Sequence, residues 1–164
     1  MYGQTSFGLS QTLRIPQGQA RDYITNYFQR FGRVKGYLDS LKEAAERNGY
    51  AETLFGRKRL LPDIHSTNRQ VKAMAERMAI NSPIQGTAAD IIKKAMVSLE
   101  AELRRRGMRS RLLLQVHDEL ILEALPDELE DLRVLVRAEM EGAVTLRTPL
   151  RVDIGTGPDW YSLK

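Results

Sequence analysis

Apolar residues recur at helical spacing through residues 17–47, at Tyr23, Tyr27, Phe31, Val34, Leu38, Leu41 and Ala45. The spacing predicts one long amphipathic helix, ended by Asn48 and Gly49, a pair suited to the left-handed C-terminal turn. A shorter helix is expected over 4–14, ahead of Pro16. "YAETLFGRKRLLP" reads as two short strands around Phe55-Gly56, with Arg57, Lys58 and Arg59 in the turn and return strand. The helical pattern resumes at Ser66 and runs to Arg106, where Gly107 closes it. Pro83 lacks an N–H and crowds the preceding turn, so a kink or break is expected near residues 81–82. "RLLLQVHDELILEAL" predicts strands 111–116 and 120–124, buried on at least one face, then a helix over about 127–141. "PLRVDIGTG" predicts a last strand, 150–154, in the same sheet. Helices first, then strand–strand–helix–strand, indicate an α+β fold: long helices packed on an antiparallel sheet with a carboxylate-bearing β-hairpin.

Composition narrows the class. The 164 residues suffice for one domain with a real core, and 42% hydrophobic with 28% charged residues is a globular composition. No apolar stretch approaches the roughly 18–20 residues of a membrane span. The opening "MYGQTSFGLS" has neither a basic n-region nor an apolar h-region, so a cytoplasmic setting is the expectation. Without cysteine there are no disulfides and no cysteine-based zinc sites. The net charge of +4 is uneven: residues 1–111 hold 20 Lys/Arg against 10 Asp/Glu, residues 112–164 hold 5 against 11. A basic body and an acidic end suit a polyanion tracked by one part and metal-assisted chemistry at the other; two ordinary solvated faces would look the same.

Two local patterns carry candidate chemistry. Nine of the fourteen residues of "LLLQVHDELILEAL" are apolar, yet His117, Asp118 and Glu119 interrupt it. A hairpin turn puts such side chains at the rim of a sheet, held by rigid strands. Hard carboxylate oxygens suit Mg²⁺, although Asp also favours turns for conformational reasons. Two Mg²⁺ ions about 4 Å apart need carboxylates from at least two segments, and Asp63, Asp90 and Asp153 are single acids. Separately, Arg77, Asn81 and Gln85 stand at i, i+4 and i+8 in "AERMAINSPIQGTAADIIKKA" and share one face of a continuous helix. Such donors could read the N3 and O2 acceptors that every base pair shows in the minor groove; a solvated helix face is the plainer alternative.

Taken together, these segments resemble the C-terminal half of the polymerase domain of family A DNA polymerases, the bacterial DNA polymerase I type. "QVHDE" resembles motif C of the palm, and "ERMAINSPIQGTAADIIK" the long helix pair after the fingers. "GYAETLFGRKRLLPDIHSTN" resembles the hairpin between fingers and palm, "MYGQTSFGLS" the end of motif B, and "PLRVDIGTGPDW" the closing strand and tail. The resemblance covers essentially the whole chain in order. It implies a partial polymerase domain, about 1–65 from the fingers and 66–164 from the palm. It implies that Asp118 and Glu119 serve catalysis as Mg²⁺ ligands, that His117 touches the primer strand near its 3′ end, and that Arg77, Asn81 and Gln85 line the primer–template duplex. Tyr2 would sit by the nascent base pair and the incoming dNTP.

The resemblance also implies that the second metal-binding Asp, of motif A, and the Lys and Arg that grip the triphosphate lie upstream of Met1. The isolated chain is therefore expected to be inactive in nucleotidyl transfer. A non-catalytic duplex-binding module built on the basic helices is the alternative. A His-Asp metal phosphohydrolase would need more histidines than His65 and His117, and a helical rather than strand setting for them.

Overall fold

The structure is a computed structural model and describes residues 5–163. The chain forms two compact units that meet in sequence between Thr87 and Ala88. The first begins with α1 (Ser6–Leu13), α2 (Gln17–Arg30) and α3 (Gly32–Asn48). Thr5 caps α1 by accepting from the Gly8 amide at 3.1 Å. The helix expected over 17–47 is two helices, because Phe31 leaves the helical region (φ −116°, ψ 52°). Its amide finishes α2 on the Tyr27 carbonyl while its own carbonyl accepts from Val34, starting α3. One residue out of helix leaves the i, i+4 series intact, so the apolar spacing concealed the break. Only the α3 half of the stripe is well covered: Leu38 and Ala45 are buried, whereas Tyr23 and Phe31 are exposed. Gly49 closes α3 at φ +74°, as the sequence indicated.

An antiparallel hairpin follows, β1 (Tyr50–Glu52) with β2 (Lys58–Leu60), then a 3₁₀ turn, Pro62–His65. The Asn68 carboxamide caps the next helix, accepting from the Gln70 amide at 2.9 Å. That helix, α4, runs Arg69–Arg105 without a break. No break occurs near residues 81–82: Pro83 is a buried residue inside the helix. The hairpin is tied to the helix around it. The Leu54 amide donates to Thr87 Oγ1 at 2.9 Å, Arg57 Nη2 to the Gly86 carbonyl at 3.0 Å, and Arg59 Nη1 to Ser82 Oγ at 3.4 Å. Ala75 and Ala79 of α4 join Ala45, Ala51, Leu61 and Ile64 in this unit's core.

Beyond Thr87, α4 contributes Leu99 and Leu103 to a second core, with Leu132, Leu135 and Val136 of α5 (Leu129–Glu141). Gly107 (φ +64°) ends α4 in a Schellman turn, its amide bonded to the Arg104 carbonyl and that of Met108 to Leu103. Strands β3 (Arg111–Val116) and β4 (Glu119–Glu123) pair antiparallel as expected. They are less buried than their composition suggested. Leu120 and Leu122 pack on the core, but Leu113 and Leu114 are 51% and 42% exposed. A bulge between Leu112 and Leu114 explains this. Leu112 pairs with Leu122 on the core face, and the extra residue turns Leu114 and Val116 to the opposite face.

The strand expected over 150–154 is not in the sheet, which among the described residues has two strands. Ile154 packs against the core, but the Val152 amide donates to the Glu141 carboxylate rather than to a neighbouring strand. Among the described residues no helix is long and apolar enough to cross a membrane.

Gly86 marks the closest approach of hairpin to helix. A Cβ there would stand 2.7 Å from Thr53 Cγ2, and Thr53 is itself held by the Phe55 and Arg57 amides on its Oγ1. Gly86→Ala gains about 1 kcal/mol of helix propensity but overpacks this joint by about 1–3 kcal/mol. Urea denaturation should show net destabilisation, and a more stable variant would mean that the hairpin yields freely.

Candidate functional site

Two residues, His117 and Asp118, join β3 to β4, with Val116 paired to Glu119 across the turn. Glu119 is therefore the first residue of β4 rather than part of the turn. His117 is in the left-handed region (φ +54°), where histidine is among the more tolerated side chains. Its carbonyl accepts from Gln115 Nε2 at 2.7 Å, which fastens the turn to its own strand. His117, Asp118 and Glu119 are all exposed. No three His, Cys, Asp or Glu side chains converge among the described residues; the hairpin carries Asp118 and Glu119 side by side in sequence.

The other end of the hairpin is closed by residues the sequence did not single out. Glu128 accepts from the Arg109 amide at 2.9 Å, the Ser110 amide at 2.7 Å and the Ser110 hydroxyl at 2.6 Å. Ser110, 4% exposed, accepts in turn from the Leu125 amide at 3.1 Å. These donors, the Arg109 amide foremost, pull the Glu128 pKa from 4.5 down to about 2, and the Arg109 charge adds to them. An acid just before α5 reads in sequence as a cap for its own helix, yet Glu128 makes no such bond. Only its partners across 18 residues reveal its role.

Arg77, Asn81 and Gln85 lie on unbroken helix, in the first unit, whereas the carboxylate hairpin lies in the second. Arg77 and Gln85 are exposed, and Asn81 between them is half-buried. The Asn81 side-chain oxygen is enclosed and has no hydrogen-bond partner. Tyr2 lies outside the described residues. The run of arginines after residue 103 is matched by acids: Arg104 with Glu100, Arg105 and Arg106 with Glu102, Arg109 with Asp127 and Arg111 with Glu123, at 2.5–3.3 Å. Two of these acids come from the acidic end of the chain, so part of the basic excess of residues 1–111 is neutralised.

Comparison with known proteins shows the family. The family model for DNA polymerase family A matches residues 1–162. DNA polymerase I of Geobacillus stearothermophilus is 52% identical over all 164 residues, and that of Mycobacterium tuberculosis 48% over 159. The POL domain of Pol1 from M. smegmatis, solved in complex with DNA primer-template and dNTP, superposes with a TM-score of 0.96 at 46% identity over 99% of the chain. The chain belongs to DNA polymerase family A. It spans 19% and 18% of the length of the two polymerases and 29% of the solved chain.

The depressed pKa of Glu128 has a definite sign. Its stabilisation is complete above pH 4.5 and is lost as the pH falls from there to about 2. Glu102, also lowered to about 2, by Arg105 first and then Arg106, stays constant in a comparison of variants. Urea denaturation at stepped pH should show the wild type losing stability across this window more steeply than Glu128→Gln. Parallel profiles would show that the carboxylate gains nothing from its donors.

Proposed function

We propose that these residues form part of a template-directed DNA polymerase that adds dNTPs to a primed DNA strand, about 1–65 belonging to the fingers and 66–164 to the palm, in a cytoplasmic enzyme of replication or repair. The observation that carries the reading is the rim-mounted His117-Asp118-Glu119 hairpin in a family A chain. The primer 3′-OH attacks the α-phosphate of the dNTP; a new P–O bond forms, and the bond to pyrophosphate breaks. Mg²⁺, when bound, would offset the negative charge that develops on the reacting phosphate. Asp118 is assigned as its ligand and Glu119 as the weaker companion. His117, at the same turn, is assigned to the primer strand near its 3′ end. Arg77, Asn81 and Gln85 are assigned to the minor-groove edge of the duplex, where they would test pair geometry without reading sequence, and Tyr2 to the nascent base pair.

The described residues bring no three His, Cys, Asp or Glu side chains together, and the turn end of the hairpin offers only Asp118 and Glu119. That observation favours duplex binding without chemistry for the isolated 164 residues, because phosphoryl transfer rests on positioned charge. We therefore expect no measurable primer extension by this chain with Mg²⁺ and dNTPs. A chimera in which it replaces the matching stretch of the G. stearothermophilus polymerase should extend primers, and Asp118→Ala there should abolish extension while leaving DNA binding largely intact. Extension by the isolated chain, or an active Asp118→Ala chimera, would overturn the assignment.

Duplex binding by the chain itself should be weak, indifferent to sequence and steeply salt-dependent, as counterion release requires. Fluorescence anisotropy on several duplexes would check this. Arg77→Ala and Gln85→Ala should weaken all of them alike, and a strong preference for one sequence would count against the minor-groove role.

A further inference from the structure

We infer that Ser110 and Glu128 are positioning residues: together they clasp the open end of the β3–β4 hairpin and so set where the His117-Asp118 turn points. The inference rests on the assignment of Asp118 to metal binding. A two-stranded sheet is marginal by itself, and β3 and β4 have no third strand beside them among the described residues. Leu120 and Leu122 hold one face of the hairpin on the core, and the hydrogen bonds at its base add to them in setting its direction. A turn about 20 Å from the base moves by about 1.7 Å for a tilt of about 5°. Displacements near 1 Å at a reacting centre can cost ~100-fold in rate.

The base is built to resist such a tilt. Glu128 holds the two residues that lead into β3 through two backbone amides and one hydroxyl. The same Ser110 oxygen that donates to Glu128 accepts from Leu125, just beyond the end of β4. Both strands thus end on one buried hydroxyl. Glu128 is anchored as well: its amide donates to the Leu125 carbonyl at 3.0 Å, and its carbonyl accepts from Leu132 of α5 at 2.8 Å. Arg109 adds a guanidinium link to Asp127 at 2.5 Å. The clasp accordingly joins β3, the exit of β4 and the start of α5, which carries Leu132, Leu135 and Val136 in the core. It contains neither Asp118 nor Glu119 and touches no reacting group, so its influence on chemistry would pass through hairpin direction alone.

Two measurements test this. In the isolated chain, Glu128→Gln should raise amide exchange at Arg109, Ser110 and Leu125 by about 10-fold or more while the α5 amides keep their protection. In the active chimera, Glu128→Gln and the milder Ser110→Ala should lower kcat about 10-fold, leave the primer–template Kd unchanged, and raise the Mg²⁺ concentration for half-maximal rate. A clasp serving stability alone would leave that Mg²⁺ midpoint where it was. Unchanged kcat and Mg²⁺ midpoint in both variants overturn the inference, as does unchanged exchange at all three amides. If instead Asp118→Ala remains active, the metal assignment fails, and the inference falls with it even where the exchange result stands.

Discussion

Helix α4 continues through Pro83, and the packing of the first unit depends on that. The helix supplies Ala75 and Ala79 to one core and Leu99 and Leu103 to the other. A proline in a helix interior forfeits a hydrogen bond and crowds the turn before it, at a cost of about 3 kcal/mol. The offset is local and visible. Pro83 is buried, and on either side of it the β1–β2 hairpin grips the helix through Ser82, Gly86 and Thr87. The glycine lets the hairpin approach closely enough for these bonds to form. The hairpin therefore splints the turn that the proline weakens.

The same splint marks the limit of what the sequence could show. The proline rule, applied alone, breaks α4, because the contacts that rescue it come from residues 23–33 positions earlier. Short-range signals fared better. Gly49 and Gly107 close their helices, and Phe55-Gly56 turns β1 into β2. The His117-Asp118 turn was legible because two apolar strands flank it, although Glu119 belongs to the strand. Three features were not legible. The break at Phe31 spans one residue and leaves the helical period intact. The bulge at Leu113 is invisible in a run of leucines, where either face reads alike. The expected strand over 150–154 has the right composition, but composition cannot show that its Val152 amide is taken by a side chain.

Charge was the least transferable signal. Counting by segment opposes a basic body to an acidic end, which describes the chain and not the surface. Arg109 and Arg111 sit in the basic segment, yet they pair with Asp127 and Glu123 of the acidic one. Exposed pairs of this kind add little stability. Their effect is on the field, which loses several of the cations that a count would offer to a phosphate backbone. Arg77 and Gln85 on the exposed face of α4 stand outside this neutralised cluster.

The two-residue turn between β3 and β4 has a consequence for how this chain can change over time. Side chains alternate along a strand, so a register slip of one residue exchanges the two faces of β4. Leu120 and Leu122 would leave the core, and Glu119 would turn toward it. Substitutions at His117 or Asp118 change chemistry and leave the register alone, whereas an inserted or deleted residue changes both. The bulge at Leu113 already spends one such shift inside β3. The turn is thus constrained twice, in length by the register and in residue type by its chemistry.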